Sequence, residues 1–546
     1  MRASLADHPG GLGPGRRLGR GLVLLAAVAL VVLLADCFDT NEADKLPLAL
    51  QHVQPAWLPG DWYLNQPQPH QGLFLTLAGQ VVRQVGFVAA SLLIRLAGYA
   101  LWCGGALALA EELALGLPWL LGGLALWLPR QGMVAGEWML GSAEPKTFAY
   151  GLLLLAFVSW RRRRPVLAGL LAGLAGSAHV LVGGYGLLSL GALALLRPAS
   201  DRDRWRPLAA ALPAAALGAF ALYGPVLGRL RDPAAAGAAP PLGLSPEWLY
   251  GPFRHPHHLV PSTWGWGWLA VLAVLLLWAG LGRWLAGGAV RLLPADQRQT
   301  CRDLWLWSAL ALVPFGLGLL VSLVDGGDRL LQVYPFRLAD TLVPLTVVLL
   351  AARALQGLAN RGGWNRPPLG PAAGRTALAV LLPVAAVLSS HGAVLRPWRA
   401  FAPPADKAEL YRAVMAHTPA GGRLLMPPGG FSDLALRTGR AQVVQFRQVP
   451  GSLAVLGEWA GRLAALAGDP AVLQAGPGGA AAERRLVAAY GRLTPGQLAA
   501  LAHRHGVAAV VTAAGQAGPG GWQRIDLESP WRLWLPPVPR QAGSQP

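Results

Sequence analysis

Residues 21–65 read GLVLLAAVALVVLLADCFDTNEADKLPLALQHVQPAWLPGDWYLN, and the change of character after Ala35 decides how the rest of the chain is read. The apolar run 21–35 follows Arg16, Arg17 and Arg20, the outline of a signal peptide or of a first membrane helix. A lipoprotein signal would use Cys37, but Asp36 stands where a small residue is needed, and Arg16-Arg17 comes without the rest of a twin-arginine motif. Further apolar stretches follow, so the run reads as an uncleaved first transmembrane helix. The acidic, aromatic stretch behind it then becomes a long first loop, about 37–86, with Asp36 at its start and Asp39, Glu42, Asp44 and Asp61 within it.

Working outward, stretches long enough to cross a bilayer fall near 87–110, 113–129, 147–160, 166–179, 182–196, 207–226, 265–286, 303–324, 333–354 and 376–393. The pair 166–196 is broken at Ser177, His179 and Gly183-Gly184, which fits a tilted or re-entrant hairpin. The whole chain agrees: 54% of its 546 residues are hydrophobic and 13% are charged, about half the ~25% of an ordinary soluble protein. Cys37, Cys103 and Cys301 form neither a disulfide framework nor a metal pair.

The net charge of +19 raises nucleic acid as a partner until the charges are located. Lys and Arg concentrate in cytoplasmic loops. With the amino terminus inside, the inner segments hold twenty: Arg2, Arg16, Arg17, Arg20, the run 161–164, Arg197, Arg202, Arg204, Arg206, Arg283, Arg291, Arg298, Arg302, Arg353, Arg361, Arg366 and Arg375. The outer loops hold eight: Lys45, Arg83, Arg130, Lys146, Arg229, Arg231, Arg254 and Arg329. The charge is therefore topological, and nucleic acid is dropped. The expected fold is an all-α polytopic membrane bundle of about 11 transmembrane helices, with a small C-terminal α/β extracytoplasmic domain. Its parts are a cytoplasmic tail 1–20, a multi-pass domain 21–393 and a soluble domain 394–546. In the last, 406–417 and 494–505 read as helices, 423–426, 442–446, 507–512 and 532–535 as strands, and 472–482 as a loop.

Polar residues gather on the outer side. A first-loop carboxylate at the mouth of a membrane cavity can serve as a general base or hold a divalent cation. Arg254-His255-Pro256-His257-His258 offers phosphate donors, a set of metal ligands that needs partners from elsewhere, or plain structure. Arg337 and Asp340 lie three apart, the spacing of an ion pair on one helical face. Glu137, Glu144, Lys146, His179 and Tyr185 complete the set.

The strings 41–65 (NEADKLPLALQHVQPAWLPGDWYLN), 143–155 (AEPKTFAYGLLLL), 178–186 (AHVLVGGYG), 254–264 (RHPHHLVPSTW), 334–345 (YPFRLADTLVPL) and 424–446 (LLMPPGGFSDLALRTGRAQVVQF) are similar to those of an uncharacterised bacterial multi-pass family. Its outline resembles the C-type glycosyltransferase superfamily. That resemblance implies sugar transfer from a polyprenyl-phosphate donor to an acceptor, not identified, on the outer face of a bacterial inner membrane, among membrane lipids. It implies Asp39 or Glu42 as base, with Asp44 third, and a substrate site drawn from Glu144, Lys146, His179, Arg254, His255, His257, His258, Arg337 and Asp340. Asp39 and Glu42 are not adjacent, as the superfamily's acidic pair often is. No cofactor is assigned, with a divalent cation held open and no metal ligands named. A transporter or flippase, prompted by the broken hairpin 166–196 and by Arg95 within a span, and a non-catalytic assembly or sensing component are the competing readings.

Overall fold

The structure, a computed structural model, describes residues 13–68, 71–196, 205–224, 241–287, 290, 293–324, 328–361 and 371–537. Most of the expected cytoplasmic tail, the loop arginines Arg197, Arg202, Arg204, Arg229, Arg231, Arg291 and Arg366, and most of the turn 325–328 lie outside the described residues.

The chain is mostly helical, and helices occupy each apolar stretch of the sequence. They are α1 (Pro14–Val32), α3 (Gly72–Glu112), α4 (Leu117–Trp127), α5 (Pro145–Arg161), α6 (Pro165–Ala178), α7 (Val180–Leu196), α8 (Trp205–Gly218), α9 (Gly267–Ala286), α10 (Ala295–Val321), α11 (Arg337–Arg361) and α12 (Pro371–Ser389). Among the described residues four, α3, α9, α10 and α11, are long and apolar enough to cross a membrane, and the chain is a membrane protein.

The first loop is not an open loop. It holds a helix, α2 (Thr40–Val53), and the first half of α3, which runs unbroken to Gly86 and there turns through a positive φ of 75° before the apolar half begins. α2 lies along that first half so closely that a Cβ on Gly79 would overlap the backbone of Ala49. Small residues set other close approaches too. Gly169 and Gly173 on α6 face Ala211 and Ala215 on α8, the small-xxx-small pattern that lets membrane helices meet backbone to backbone. The break at His179 folds α7 back so that Gly183 meets the backbone of Ala175 and Gly176.

Beyond Ser390 the chain forms a five-stranded sheet of order β2-β1-β3-β5-β4: β1 (Arg423–Leu425), β2 (Ala441–Gln442), β3 (Ala509–Ala513), β4 (Gln523–Asp526) and β5 (Trp531–Leu535). β2, β1 and β3 are parallel, while β5 and β4 join antiparallel. Helices Ala405–His417, Leu456–Ala467, Ala480–Tyr490 and Pro495–His505 cover it. The expected strand 442–446 leaves the ladder after Gln442. Its neighbour β1 runs into Pro427-Pro428, which have no N–H to pair. A helix from Ala480 replaces the end of the expected loop 472–482. The tail grips the membrane part through Arg423, whose Nε and Nη2 donate to the carbonyl of Gly60 at 2.9 and 2.6 Å, and through Phe253, buried against Phe446 and Trp459.

Candidate functional site

Asp39 caps the amino end of α2, its Oδ1 accepting the N–H groups of Asn41 and Glu42 at 3.0 and 2.9 Å. That is what short acidic residues do at a helix start. Glu42, fully buried, points the other way, into the junction of α1 and α3. There it meets Arg95 Nε at 2.5 Å, Ser91 Oγ at 3.0 Å and the N–H groups of Phe38 and Ala143 at 2.8 and 2.7 Å. Arg95 in turn donates to the carbonyls of Leu33, Ala35 and Asp36, closing the carboxyl end of α1. Asp44 projects from α2 into a polar cavity, paired with Lys45 at 2.7 Å and accepting the hydroxyl of Tyr63.

The opposite wall comes from the segment between α4 and α5. Gln131 holds it by accepting the N–H groups of Met139 and Leu140 at 2.9 Å each. Asp340 accepts those of Val134, Ala135 and Glu137 at 2.7, 3.1 and 3.1 Å. Arg337 therefore does not pair with Asp340. Its Nε meets Glu137 Oε1 at 2.7 Å, its Nη1 lies 3.2 Å from His179 Nε2, and its guanidinium sits 4.1 Å over the Tyr334 ring. Three convergent backbone N–H groups satisfy the Asp340 carboxylate, and that leaves Arg337 to the cavity. Lys146 lies 3.5 Å from both Glu137 and Glu144 and 3.4 Å over the Trp138 ring.

From the histidine segment, His258 donates Nδ1–H to the Ala135 carbonyl and His255 donates its own to Tyr250 at 2.8 Å. A carbonyl only accepts, so in each neutral ring Nε2 keeps a free lone pair. Burial holds both rings neutral, His258 down to about 3 and His255 well below the ordinary range. Arg254 donates to the Arg447 carbonyl at 2.8 Å, while its buried Nε has no partner among the described residues. Arg447, from the tail, reaches Glu483 at 2.9 Å and Thr40 Oγ1 at 2.8 Å.

Asp44, Glu137, Glu144, Lys146, Arg254, His255, His258, Arg337 and Arg447 line one cavity of about 190 Å³. Five cations, Lys45, Lys146, Arg254, Arg337 and Arg447, face three carboxylates, Asp44, Glu137 and Glu144, so with neutral histidines the cavity is net positive. Glu144 Oε1 is buried without a hydrogen-bond partner among the described residues. Burial raises the Glu144 carboxyl. It would raise Glu137 too, but Arg337, Lys146 and His258 overcome it and hold that group at about 2. Glu137 is thus a fixed anion that orients the cations. Such a lining suits an anionic ligand held beside a carboxylate that can take a proton.

Of the residues expected from the sequence, Asp44, Glu144, Lys146, His179, Arg254, His255, His258 and Arg337 line this cavity. Asp39, Glu42, His257 and Asp340 do not: Asp39 lines a second cavity of about 430 Å³, on the far side of Glu137 and Trp138, with Asp36, Arg130 and His391. His257 is exposed, its carbonyl taken by Trp264. Lys45, Tyr250 and Arg447 joined the site unforeseen; no local signal separates a tail arginine that reaches it from an ordinary surface one.

Asp39 carries a pH prediction. Burial, and next the charge of Glu144, push its carboxyl up from 3.8 to about 7. Between those values the folded chain binds more protons than the unfolded one, so the group's contribution to stability falls as pH rises through the window. Asn is as good a cap as Asp. Asp39→Asn is expected to match wild type in thermal unfolding near pH 4 and to exceed it at pH 8 by on the order of 1 kcal/mol, since Asp39 is half-buried. A variant less stable than wild type at pH 8 contradicts this.

Among the described residues no three His, Cys, Asp or Glu side chains converge as a metal site. No family model matches the sequence, and no curated protein matches it. Among solved structures, the crystal structure of ArnT from Cupriavidus metallidurans bound to undecaprenyl phosphate is similar at 13% identity and a TM-score of 0.47, over 97% of this chain and 99% of that one. ArnT from the same organism in the apo state is similar at 14% identity and a TM-score of 0.49, over 95% of this chain and 97% of that one.

Proposed function

We propose that this chain is a membrane glycosyltransferase that moves a sugar from a polyprenyl-phosphate carrier to a hydroxyl acceptor. The observation that carries the reading is the single cavity in which Asp44 and Glu144 face Arg254, Arg337 and Arg447. Asp44 takes the proton of the acceptor hydroxyl, the oxygen bonds to the anomeric carbon, and the bond from that carbon to the phosphate breaks. The departing phosphate gains charge as the bond lengthens. Arg254 and Arg337 are placed to hold it, and Lys146 is kept in position by Glu137 and Glu144. Asp44 replaces Asp39 and Glu42 as base because it alone of the three lines the cavity.

The reading includes eleven spans, the amino terminus in the cytoplasm and residues from about 394 outside, in a bacterial inner membrane. The inside excess of arginine supports it. Arg95, one of the two features that prompted a transport reading, is closed by Glu42 and by the carbonyls of Val32, Leu33, Ala35 and Asp36 and has no free charge to offer a pathway.

Binding tests the reading before chemistry does. Purified full-length protein in detergent is titrated with polyprenyl phosphate, and Arg254→Gln is expected to weaken binding about tenfold, the loss of one charge-assisted bond of about 1.4 kcal/mol. Arg504→Gln, on the exposed surface of the tail, leaves it unchanged. Equal affinity in wild type and Arg254→Gln removes the phosphate from this cavity.

A further inference from the structure

A second groove, of about 450 Å³, lies away from the polar cavity and shares no lining residue with it or with the cavity at Asp39. Its walls are apolar: Phe38, Phe87, Val88, Phe401, Met415 and Leu436. Phe38 and Phe401 meet edge to face at 4.8 Å. Arg437 builds one wall but is spent, paired with Asp433 and donating to the Phe401 carbonyl at 2.8 Å. Arg412, on the rim, is exposed and has no partner among the described residues.

The groove's place says what fills it. Phe87 and Val88 open the apolar half of α3, directly after the Gly86 turn, and Phe401 comes soon after the end of α12. The groove therefore sits where membrane helices end and the tail begins. Val88 is 47% exposed and Met415 44%, so apolar surface stands open along the groove. The approach to Phe401 carries Leu395 and Trp398, 66% and 74% exposed, interleaved with Arg396 and Arg399, both exposed and without partners among the described residues. Arg83 stands exposed one turn before the kink. Tryptophan with unpaired arginines at a helix end is the composition that meets lipid headgroups, and unpaired arginines select anionic ones.

We propose that this groove binds an anionic phospholipid: an acyl chain lies along Phe87, Val88 and Met415, and the headgroup phosphate is held by Arg412 and Arg399. The lipid then bridges α3 and the tail helix Ala405–His417, and fixes the tail against the membrane surface.

The test titrates purified full-length protein in detergent with phosphatidylglycerol or phosphatidylcholine and follows thermal unfolding. Phosphatidylglycerol is expected to raise the melting temperature saturably and phosphatidylcholine not. Arg399→Gln/Arg412→Gln is expected to weaken the phosphatidylglycerol effect on the order of 25-fold, about fivefold for each arginine near an anionic surface, while Arg504→Gln matches wild type. A second measurement needs no variant: phosphatidylglycerol with a photoactivatable acyl chain is expected to label peptides containing Phe87-Val88 or Met415. Equal affinity in the double variant, equal response to both lipids, or labelling confined to other helices overturns the proposal. So does a co-purifying protein that covers these peptides and excludes the probe.

Discussion

Asp44→Asn is expected to abolish sugar transfer from a polyprenyl-phosphate donor by on the order of 10²- to 10⁴-fold, the usual contribution of a positioned base. Binding of the carrier should survive, because the cations that meet the phosphate remain. The change is nearly isosteric, and Tyr63 still finds an oxygen to donate to. Asp39→Asn, by contrast, keeps a cap outside the cavity and should transfer at close to the wild-type rate. Measuring both variants in one preparation, as product formed per folded molecule, separates the two carboxylates. If Asp44→Asn transfers like wild type while Glu144→Gln does not, the base is Glu144, whose buried Oε1 has no partner among the described residues and whose carboxyl is already raised. If neither loses activity, the cavity is not where the proton goes.

The family resemblance ranks Asp39 and Glu42 ahead of Asp44, and helix geometry reverses that order. Read as a loop, the stretch 39–44 offers three equivalent carboxylates. Read as the start of α2, it does not. Asp39 is outside the helix and capping it, while Glu42 and Asp44, two residues apart, stand roughly 200° apart around the axis. One must face the packed core when the other faces away from it. Pro47, a residue that ordinarily interrupts a helix, lies inside α2.

The same limit hid the partner of Arg337. A spacing of three made Asp340 the visible partner, and nothing local to either residue announces that 200 positions earlier Glu137 waits for Arg337 while the N–H groups around it take Asp340. The apolar helices were legible because bilayer length and hydrophobicity are properties of contiguous residues. The tail helix Leu456–Ala467 carries the same kind of signal, with Leu456, Trp459, Ala460, Leu463 and Ala467 on one face. Convergence of distant loops on one cavity was foreseeable only as far as topology put them on one side.

Glu42→Gln is the change expected to cost most in stability, and its effect is on folding. Glu42 and Arg95 are both fully buried, and their mutual attraction is what keeps either charge tolerable there. Removing one member of a buried pair costs about 3–5 kcal/mol, because the other stays charged in a dry site. A marginal margin of 5–15 kcal/mol leaves little after such a loss. The damage spreads because Glu42 also accepts from Phe38 and Ala143, which tie α2 to the loop after α1 and to the segment before α5. Glu42→Gln is therefore expected to lower the melting temperature and the yield of monodisperse protein sharply, with transfer falling in proportion to the folded fraction. Glu42→Gln/Arg95→Met removes both charges, so its cost should fall well below the sum of the two single changes. It should not return to wild type, since Arg95 also closes the carbonyls of Leu33, Ala35 and Asp36. Additive costs in that cycle would mean the pair is not coupled. A well-folded Glu42→Gln protein without activity would mean that Glu42 does chemistry from behind the cavity wall, and that α2 must turn to present it.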